Sequence, residues 1–242
     1  MQQHEPMFNV PGAVTGVLAL LVAVHLGLAA LPVADERWWV LALSFNPARH
    51  AGFAAQIPGG PTATFTSFFT HMLVHGDLTH LAFNCVWLLA FGGAMAQRLG
   101  GARFIVFTVF CGVAGAVAFL ALNLGLYAPV IGASGAISGL MGGVFRFLFN
   151  AGGSVGLRRL QSGSAGLATM PLATALTDRR VLTGIAIWLG VNFLALLGIG
   201  GPEASGGIAW EAHIGGFAAG FLMLGAFEDQ DPAPHRIDRQ QS

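Results

Sequence analysis

The chain has 242 residues, of which 55% are hydrophobic and only 9% are charged, and its mean hydropathy is +0.69. An average soluble domain carries roughly 25% charged residues, so this composition excludes an ordinary water-soluble surface and indicates a membrane protein. The formal net charge is zero, which gives no electrostatic case for nucleic-acid binding. The 35 glycines would weaken soluble helices, but in a membrane bundle they let helices approach closely.

Six apolar stretches are each long enough to cross about 30 Å of hydrocarbon, which takes roughly 20 residues of helix. We therefore predict an all-α membrane protein with six transmembrane helices in a domain that covers residues 13–227. A short cytoplasmic segment, 1–12, precedes this domain, and a polar tail, 228–242, follows it. In chain order the predicted spans are 13–33, 78–97, 103–123, 131–150, 181–199 and 207–226.

Two long connections separate some of these spans. The first, 34–77, contains an aromatic-rich apolar run, 38–43, that is too short to span a bilayer. Such runs usually lie in the membrane interface, so we predict an interfacial segment there. The second connection, 151–180, is rich in glycine and serine and carries four arginines, which predicts a solvated loop. The tail 228–242 contains two prolines and is predicted to be disordered.

The arginines are distributed unevenly between the two sides of the predicted bundle. If the N-terminus is cytoplasmic, nine of the eleven lie on the cytoplasmic side, and only Arg37 and Arg49 lie on the outer side. Because short cytoplasmic loops are enriched in lysine and arginine, this bias predicts that both termini are cytoplasmic. The nine are Arg98, Arg103, Arg146, Arg158, Arg159, Arg179, Arg180, Arg236 and Arg239.

Four of the polar side chains within the predicted spans lie near the outer ends of their helices and stand out as a set: His80 and Asn84 on the second, Ser134 on the fourth and His213 on the sixth. In this orientation all three spans descend from the outer face, so the four side chains lie in the outer half of the bilayer. Helical rise puts Ser134 about 5 Å and His213 about 9 Å below the start of its helix. Polar groups at such depths are energetically costly and are retained mainly at functional sites, so their convergence predicts a functional site.

This set of side chains has the groups that acyl transfer needs. A serine hydroxyl becomes a nucleophile when a base such as histidine takes its proton, which suits Ser134 and His213. The reaction also needs hydrogen-bond donors for the developing oxyanion. His80 and Asn84, four residues apart on one helix face, can donate. The backbone N–H of Ser134 can donate as well, because it lies in the first turn of its helix.

Three segments of the sequence resemble the rhomboid family of intramembrane serine proteases. They occur in the family's order, on the second, fourth and sixth predicted spans, and the resemblance covers about residues 13–227. The segments are His75-Gly76-Asp77-Leu78-Thr79-His80-Leu81-Ala82-Phe83-Asn84, Gly132-Ala133-Ser134-Gly135 and His213-Ile214-Gly215-Gly216-Phe217-Ala218-Ala219-Gly220.

The resemblance implies a rhomboid-like six-helix bundle and a role for each matching residue. Ser134 is expected to be the nucleophile and His213 the general base, in a dyad without a carboxylate. His80 and Asn84 are expected to line the oxyanion hole. His75 matches a position near the active site that the family often fills with histidine, and it is expected to be an accessory residue without a catalytic role. Four glycines are expected to be structural, two beside the serine and two where the sixth span presses against the fourth: Gly132, Gly135, Gly216 and Gly220.

The same resemblance implies where the protein acts and on what. The expected substrates are transmembrane proteins, cut near the outer end of a helix and next to a small residue. The protein is expected to be a multi-pass protein of the bacterial inner membrane that needs no cofactor and no metal. Its surroundings are the lipid bilayer, and nucleic acid is not an expected partner. The sequence leaves the oligomeric state open.

Two positions depart from the family's pattern. Many members carry Trp-Arg where this chain has Thr66 and Ser67, so the segment after the first span is expected to fold or sit differently. Many members also have a tyrosine, four residues after the nucleophile, that stacks on the catalytic histidine, and this chain has Ser138 there. The imidazole of His213 must therefore be held by another group, such as Phe217 or a neighbouring helix.

Three other interpretations of the polar cluster stay open. The first is a zinc site, because His71 and His75 have i, i+4 spacing and Asp77 and His80 follow, although no glutamate is placed to act as base. The second is a transporter or ion pathway, although the carboxylates that relays favour are missing from mid-membrane. The third is a catalytically inactive relative that binds membrane helices. Serine-directed chemistry distinguishes proteolysis from all three.

Overall fold

The computed structural model describes residues 10–149, 167–197 and 209–228. These residues form helices and turns, with one isolated antiparallel bridge and no β-strand among them. In chain order the principal helices are α1 (Gly12–Ala29), α2 (Val33–Leu43), α3 (Thr62–Thr70), α4 (Leu78–Leu99), α5 (Gly101–Asn123), α6 (Ser134–Leu148), α7 (Arg179–Leu196) and α8 (Trp210–Phe227). Parts of the predicted segments lie outside the described residues: 1–9, 150–166, 198–199, 207–208 and 229–242.

The prediction of an all-α membrane protein is confirmed. Each predicted span contains one helix, and α1, α4 and α5 qualify as membrane spans by length and hydropathy among the described residues. Helix α6 has only 15 residues, and α7 and α8 have 18 each. Large apolar side chains cover the outside of the bundle, among them Leu26, Val106, Ile187 and Phe193. Lipid is the solvent that such a surface suits, so the chain is an integral membrane protein.

Helices α5, α6 and α8 form the centre of the bundle, and α6 is buried along most of its length. Gly216 of α8 faces the carbonyl group of Gly135 on α6, and Gly220 faces that of Gly139. A Cβ atom on Gly216 or Gly220 would collide with these carbonyl oxygens. The two helix backbones therefore approach more closely than any larger residue would allow, which favours van der Waals packing between helices in lipid.

The connection between α1 and α4 folds into short helices. Helix α2 has 11 residues, so the prediction that this run is too short to span is confirmed. The guanidinium of Arg49 is buried, and its Nη2 donates to the carbonyl oxygens of Leu41 at 2.8 Å and Pro58 at 2.7 Å. Its Nη1 donates to the Gly60 carbonyl at 3.4 Å. One buried arginine thus ties distant parts of this connection together.

Residues 167–178 differ from the predicted solvated loop. Met170 is buried, its N–H donates to the carbonyl of Arg146 at 2.7 Å, and Nε of Arg146 donates back to the Met170 carbonyl at 2.9 Å. Arg98 donates to the carbonyl of Leu167 at 2.7 Å. Because arginines from α4 and α6 satisfy the carbonyl groups of Leu167 and Met170, this part of the stretch packs on the end of the bundle.

Candidate active site

Ser134 and His213 meet inside the bundle. Ser134 is the first residue of α6, and His213 lies in the first turn of α8. The Ser134 hydroxyl oxygen is 2.7 Å from Nε2 of His213, which is a hydrogen-bond distance. Both residues are half-buried. The structure thus brings together the serine and the histidine that the sequence paired.

The segment before Ser134 is held by the connection between α1 and α4. Val130 and Phe45 exchange two backbone hydrogen bonds of 2.7 and 3.0 Å, and the Gly132 N–H donates to the His71 carbonyl at 2.9 Å. Gly132 has φ of 111°, a conformation that favours glycine. Helix α6 therefore begins at Ser134, three residues later than predicted. The Ser134 N–H lies in the first turn, where the helix supplies no acceptor for it.

His80 and Asn84 lie one turn apart on α4, which begins after Asp77. Oδ1 of Asp77 accepts the His80 N–H at 2.8 Å and so caps the helix. A Cβ on Gly132 would lie 2.6 Å from Nε2 of His80, so this imidazole packs directly against the loop before Ser134. Asn84 is buried, and its Nδ2 donates to the His80 carbonyl at 2.9 Å. Its second amide proton remains available as a donor.

Nδ1 of His213 has a partner that the sequence analysis missed. It lies 2.7 Å from Oδ1 of Asn192, a buried residue of α7. The Asn192 amide nitrogen donates to the carbonyl of Trp188 at 2.9 Å. A neighbouring helix therefore holds the imidazole, whereas Phe217, the other candidate, stacks on Trp188 at 4.3 Å. The signal was present in the sequence, because Asn192 is a polar amide within the fifth predicted span.

The remaining residues singled out in the sequence lie around this pair. His75 is buried, with its ring 5.0 Å from that of His80 and edge-on to it, and neither of its ring nitrogens has a hydrogen-bond partner among the described residues. Ser138 is buried in α6. The two residues in place of the Trp-Arg pair lie on α3, where the Ser67 carbonyl accepts a hydrogen bond from Nδ1 of His71 at 2.8 Å.

A cavity of about 650 Å³ lies on one side of the Ser134–His213 pair. Its lining includes His80, the loop before α6 and the start of α8. Glu211 lines it too, and this carboxylate accepts a hydrogen bond from Nδ2 of Asn123 at 3.1 Å. The cavity therefore places polar groups beside the serine and is large enough to hold water.

A second cavity, a groove of about 510 Å³, reaches the same pair from between α4 and α7. Its walls are mainly apolar, with Phe83 and Trp87 of α4 on one side and Ile187 and Val191 of α7 on the other. These four side chains are also exposed on the lipid-facing surface or border it. Ser134 and His213 line both cavities, so the pair lies where an apolar groove and a more polar cavity meet.

The residues proposed above as zinc ligands do not form a ligand set. Nδ1 of His71 is directed to the Ser67 carbonyl. Across the described parts of the chain, no group of three or more histidine, cysteine, aspartate or glutamate side chains is arranged to hold a metal ion.

The helical bundle, its apolar exterior and its internal polar site define the class, an integral membrane protein with a serine–histidine pair inside the bundle. Comparison with known proteins identifies the family. A family model described as the Rhomboid domain matches residues 62–227, which is more than half of the chain. The chain belongs to the rhomboid family.

One similar curated protein is the Rhomboid protease GlpG of Enterobacter sp. (strain 638), with 27% identity over 179 residues. The alignment covers 71% of this chain and 52% of that protein, so the chain spans about half the length of this relative.

Proposed function

We propose that this protein is an intramembrane serine endopeptidase that hydrolyses peptide bonds in or near the transmembrane helices of other membrane proteins. Ser134 is the nucleophile and His213 is its general base. The observation that carries this proposal is the 2.7 Å distance between the Ser134 hydroxyl oxygen and Nε2 of His213, within the range that proton transfer requires. The similarity to a protein named Rhomboid protease GlpG supports the proposed class of activity.

The proposed reaction proceeds through an acyl-enzyme. The Ser134 oxygen attacks the scissile carbonyl carbon as its proton passes to Nε2 of His213. The oxyanion accepts hydrogen bonds from the Ser134 N–H, His80 and Asn84. The C–N bond then breaks, and the leaving amine takes the proton from His213. Water from the 650 Å³ cavity gives a proton to His213 as its oxygen attacks the ester, and the Ser134 oxygen takes that proton back from His213 as the C–O bond to the serine breaks and the new carboxyl end is released.

The groove between α4 and α7 is the proposed entrance for the substrate. Its apolar walls suit the side chains of a transmembrane helix that arrives from the lipid. The peptide bonds of a helix are protected by their own hydrogen bonds, so the substrate must unwind before Ser134 reaches a carbonyl group. Helices that contain glycine or proline unwind most readily, which favours cleavage beside small residues.

The glycines and His75 have supporting roles in this proposal. Gly216 and Gly220 let α8 pack on α6, and this packing carries His213 to the start of α6. Gly135 faces α8 as well, since a Cβ on it would lie 3.3 Å from the Ala212 carbonyl oxygen. His75 packs against His80 and acts only through it.

The proposed topology has six spans, with both termini in the cytoplasm of a bacterial cell and the site in the outer half of the inner membrane. Nine of the eleven arginines lie on the cytoplasmic side in this orientation. The bilayer and transmembrane substrates are the proposed partners. A transporter or an inactive helix-binding protein has no use for a hydroxyl held against an imidazole, so neither alternative is favoured.

A cleavage assay in lipid vesicles tests the proposal. We expect purified protein to cut single-span proteins that carry glycine or proline near the outer end of the helix, and Ser134→Ala and His213→Ala to abolish the products seen by mass spectrometry. Leucine in place of the helix-breaking residues of a substrate should slow the cut. Cleavage that persists in folded Ser134→Ala would overturn the assignment, and an unchanged rate with leucine would refute the unwinding step.

A further inference from the structure

Asn192 contacts the proposed base on the side away from the serine. Its Oδ1 is 2.7 Å from Nδ1 of His213, while Nε2 of the same ring is 2.7 Å from the Ser134 hydroxyl. The three side chains come from α7, α8 and α6, so three helices meet in one hydrogen-bonded row. Asn192 is buried, which keeps water from competing for this bond.

The orientation of the Asn192 amide is fixed by the rest of its helix. Its nitrogen donates to the Trp188 carbonyl at 2.9 Å, so its oxygen must face the imidazole. The reverse orientation would place the amide oxygen against another carbonyl oxygen. Nδ1 of His213 must then carry the proton, and the lone pair is left on Nε2. This is the tautomer in which His213 can accept the proton of Ser134.

We infer that Asn192 is a positioning residue that completes a Ser134–His213–Asn192 triad, an inference that rests on the proposed function. A neutral amide that orients the base histidine serves the same purpose in Cys–His–Asn proteases on unrelated folds. Ser138, one turn after the serine on α6, is too small to supply a ring against the imidazole of His213. The bond from α7 gives the imidazole the support that Ser138 does not supply.

A purely structural role for Asn192 would explain only half of these contacts. An asparagine inside a helix often bonds the carbonyl four residues earlier, as Asn192 does with Trp188, and needs no further partner. That bond uses the amide nitrogen alone, whereas the oxygen is directed to His213. Because Asn192 lies on the helix that forms one wall of the groove, the position of α7 also determines whether the base is correctly oriented.

The test compares four full-length proteins in detergent: wild type, Asn192→Leu, Asn192→Asp and the control Thr183→Leu on the exposed face of α7. The first readout is the rate at which a fluorophosphonate labels Ser134, with thermal unfolding measured alongside. The second is ¹⁵N NMR of protein labelled at the histidine ring nitrogens, with the His213 signals assigned by their loss in His213→Ala. This second readout reports the tautomer and does not require activity.

We expect Asn192→Leu to label roughly ten- to a hundredfold more slowly than wild type, with a mixture of His213 tautomers. Asn192→Asp keeps an acceptor and should recover most of the rate, and Thr183→Leu should match wild type. Wild-type labelling in Asn192→Leu, or an unchanged tautomer, would overturn the inference and leave the proposed function intact. A folded wild type that does not label at Ser134 would instead refute the proposed function, while the NMR readout would still decide the role of Asn192.

Discussion

At the scale of single residues, the backbone at Gly132 decides what Ser134 can do. Its φ of 111° and its hydrogen bond to the His71 carbonyl keep this residue outside α6, so the helix begins at the serine. The same residue leaves room for His80, whose ring would lie 2.6 Å from a Cβ. One missing side chain therefore serves both the nucleophile and a proposed oxyanion donor.

We predict that Gly132→Ala lowers the rate of fluorophosphonate labelling at least tenfold. A Cβ in this position displaces the His80 ring, and the left-handed conformation adds strain of about 1–3 kcal/mol. Gly52→Ala is the matched control, because Gly52 has φ of 94° but open space around its Cβ position. If both variants label equally fast at matched thermal stability, the His80 contact has no part in the chemistry.

At the scale of elements, the contact between α6 and α8 brings the proposed dyad together. It depends on glycines that meet carbonyl groups of the facing helix, at Gly216 and Gly220. Both lie on the same side of α8 as His213, three and seven residues after it. Any outward shift of α8 therefore moves Nε2 of His213 away from the Ser134 hydroxyl.

We predict that Gly216→Ala and Gly220→Ala each reduce cleavage by more than tenfold and destabilise the fold by about 1–3 kcal/mol, because a methyl group forces these backbones apart. The matched control is Gly225→Ala on the same helix, where nothing lies within 4 Å of the Cβ position. Cleavage and unfolding midpoints in detergent measure both effects. Equal behaviour of all three variants would show that the close approach does not hold the dyad.

The sequence predicted the helices better than their connections. Hydrophobic length located a helix in each of the six predicted spans, because a long apolar run in a membrane protein folds as a helix. It could not reveal the contacts of Arg49 or the packing of Met170, since both depend on hydrogen bonds between residues of different elements, which an apolar run does not specify. The composition of 151–180 indicated solvent, yet Leu167 and Met170 lie against the bundle, where arginines of other helices satisfy their carbonyl groups.

The sequence likewise predicted some features of the candidate site and not others. Ser134, His213, His80 and Asn84 could be paired from the sequence, because span order and depth determine which side chains share a level in the membrane. Asn192 also lies within a predicted span, but depth alone does not specify that its amide faces the ring of His213. The start of α6 at the serine depends on a backbone angle at Gly132, which an apolar run does not specify.

At the scale of the whole molecule, two cavities of different character meet at one pair of residues. The apolar groove between α4 and α7 suits a lipid-borne helix, and the more polar cavity on the other side suits water. Hydrolysis inside a membrane needs both kinds of cavity, because a transmembrane substrate arrives through lipid whereas water must arrive by a separate path. Elsewhere the outside of the bundle presents large apolar side chains to lipid. The place where the two cavities meet is therefore where we locate the reaction.

The most direct test of the central claim is the labelling of Ser134 by a fluorophosphonate probe, since this reaction needs no knowledge of the natural substrate. Purified protein in detergent is treated beside Ser134→Ala and His213→Ala, the folded state is checked by thermal unfolding, and the modified residue is located by mass spectrometry. We predict that the label maps to Ser134 in the wild type and is absent from both variants. A folded wild type that stays unlabelled, or a label that persists in His213→Ala at the wild-type rate, would contradict the claim that His213 activates Ser134.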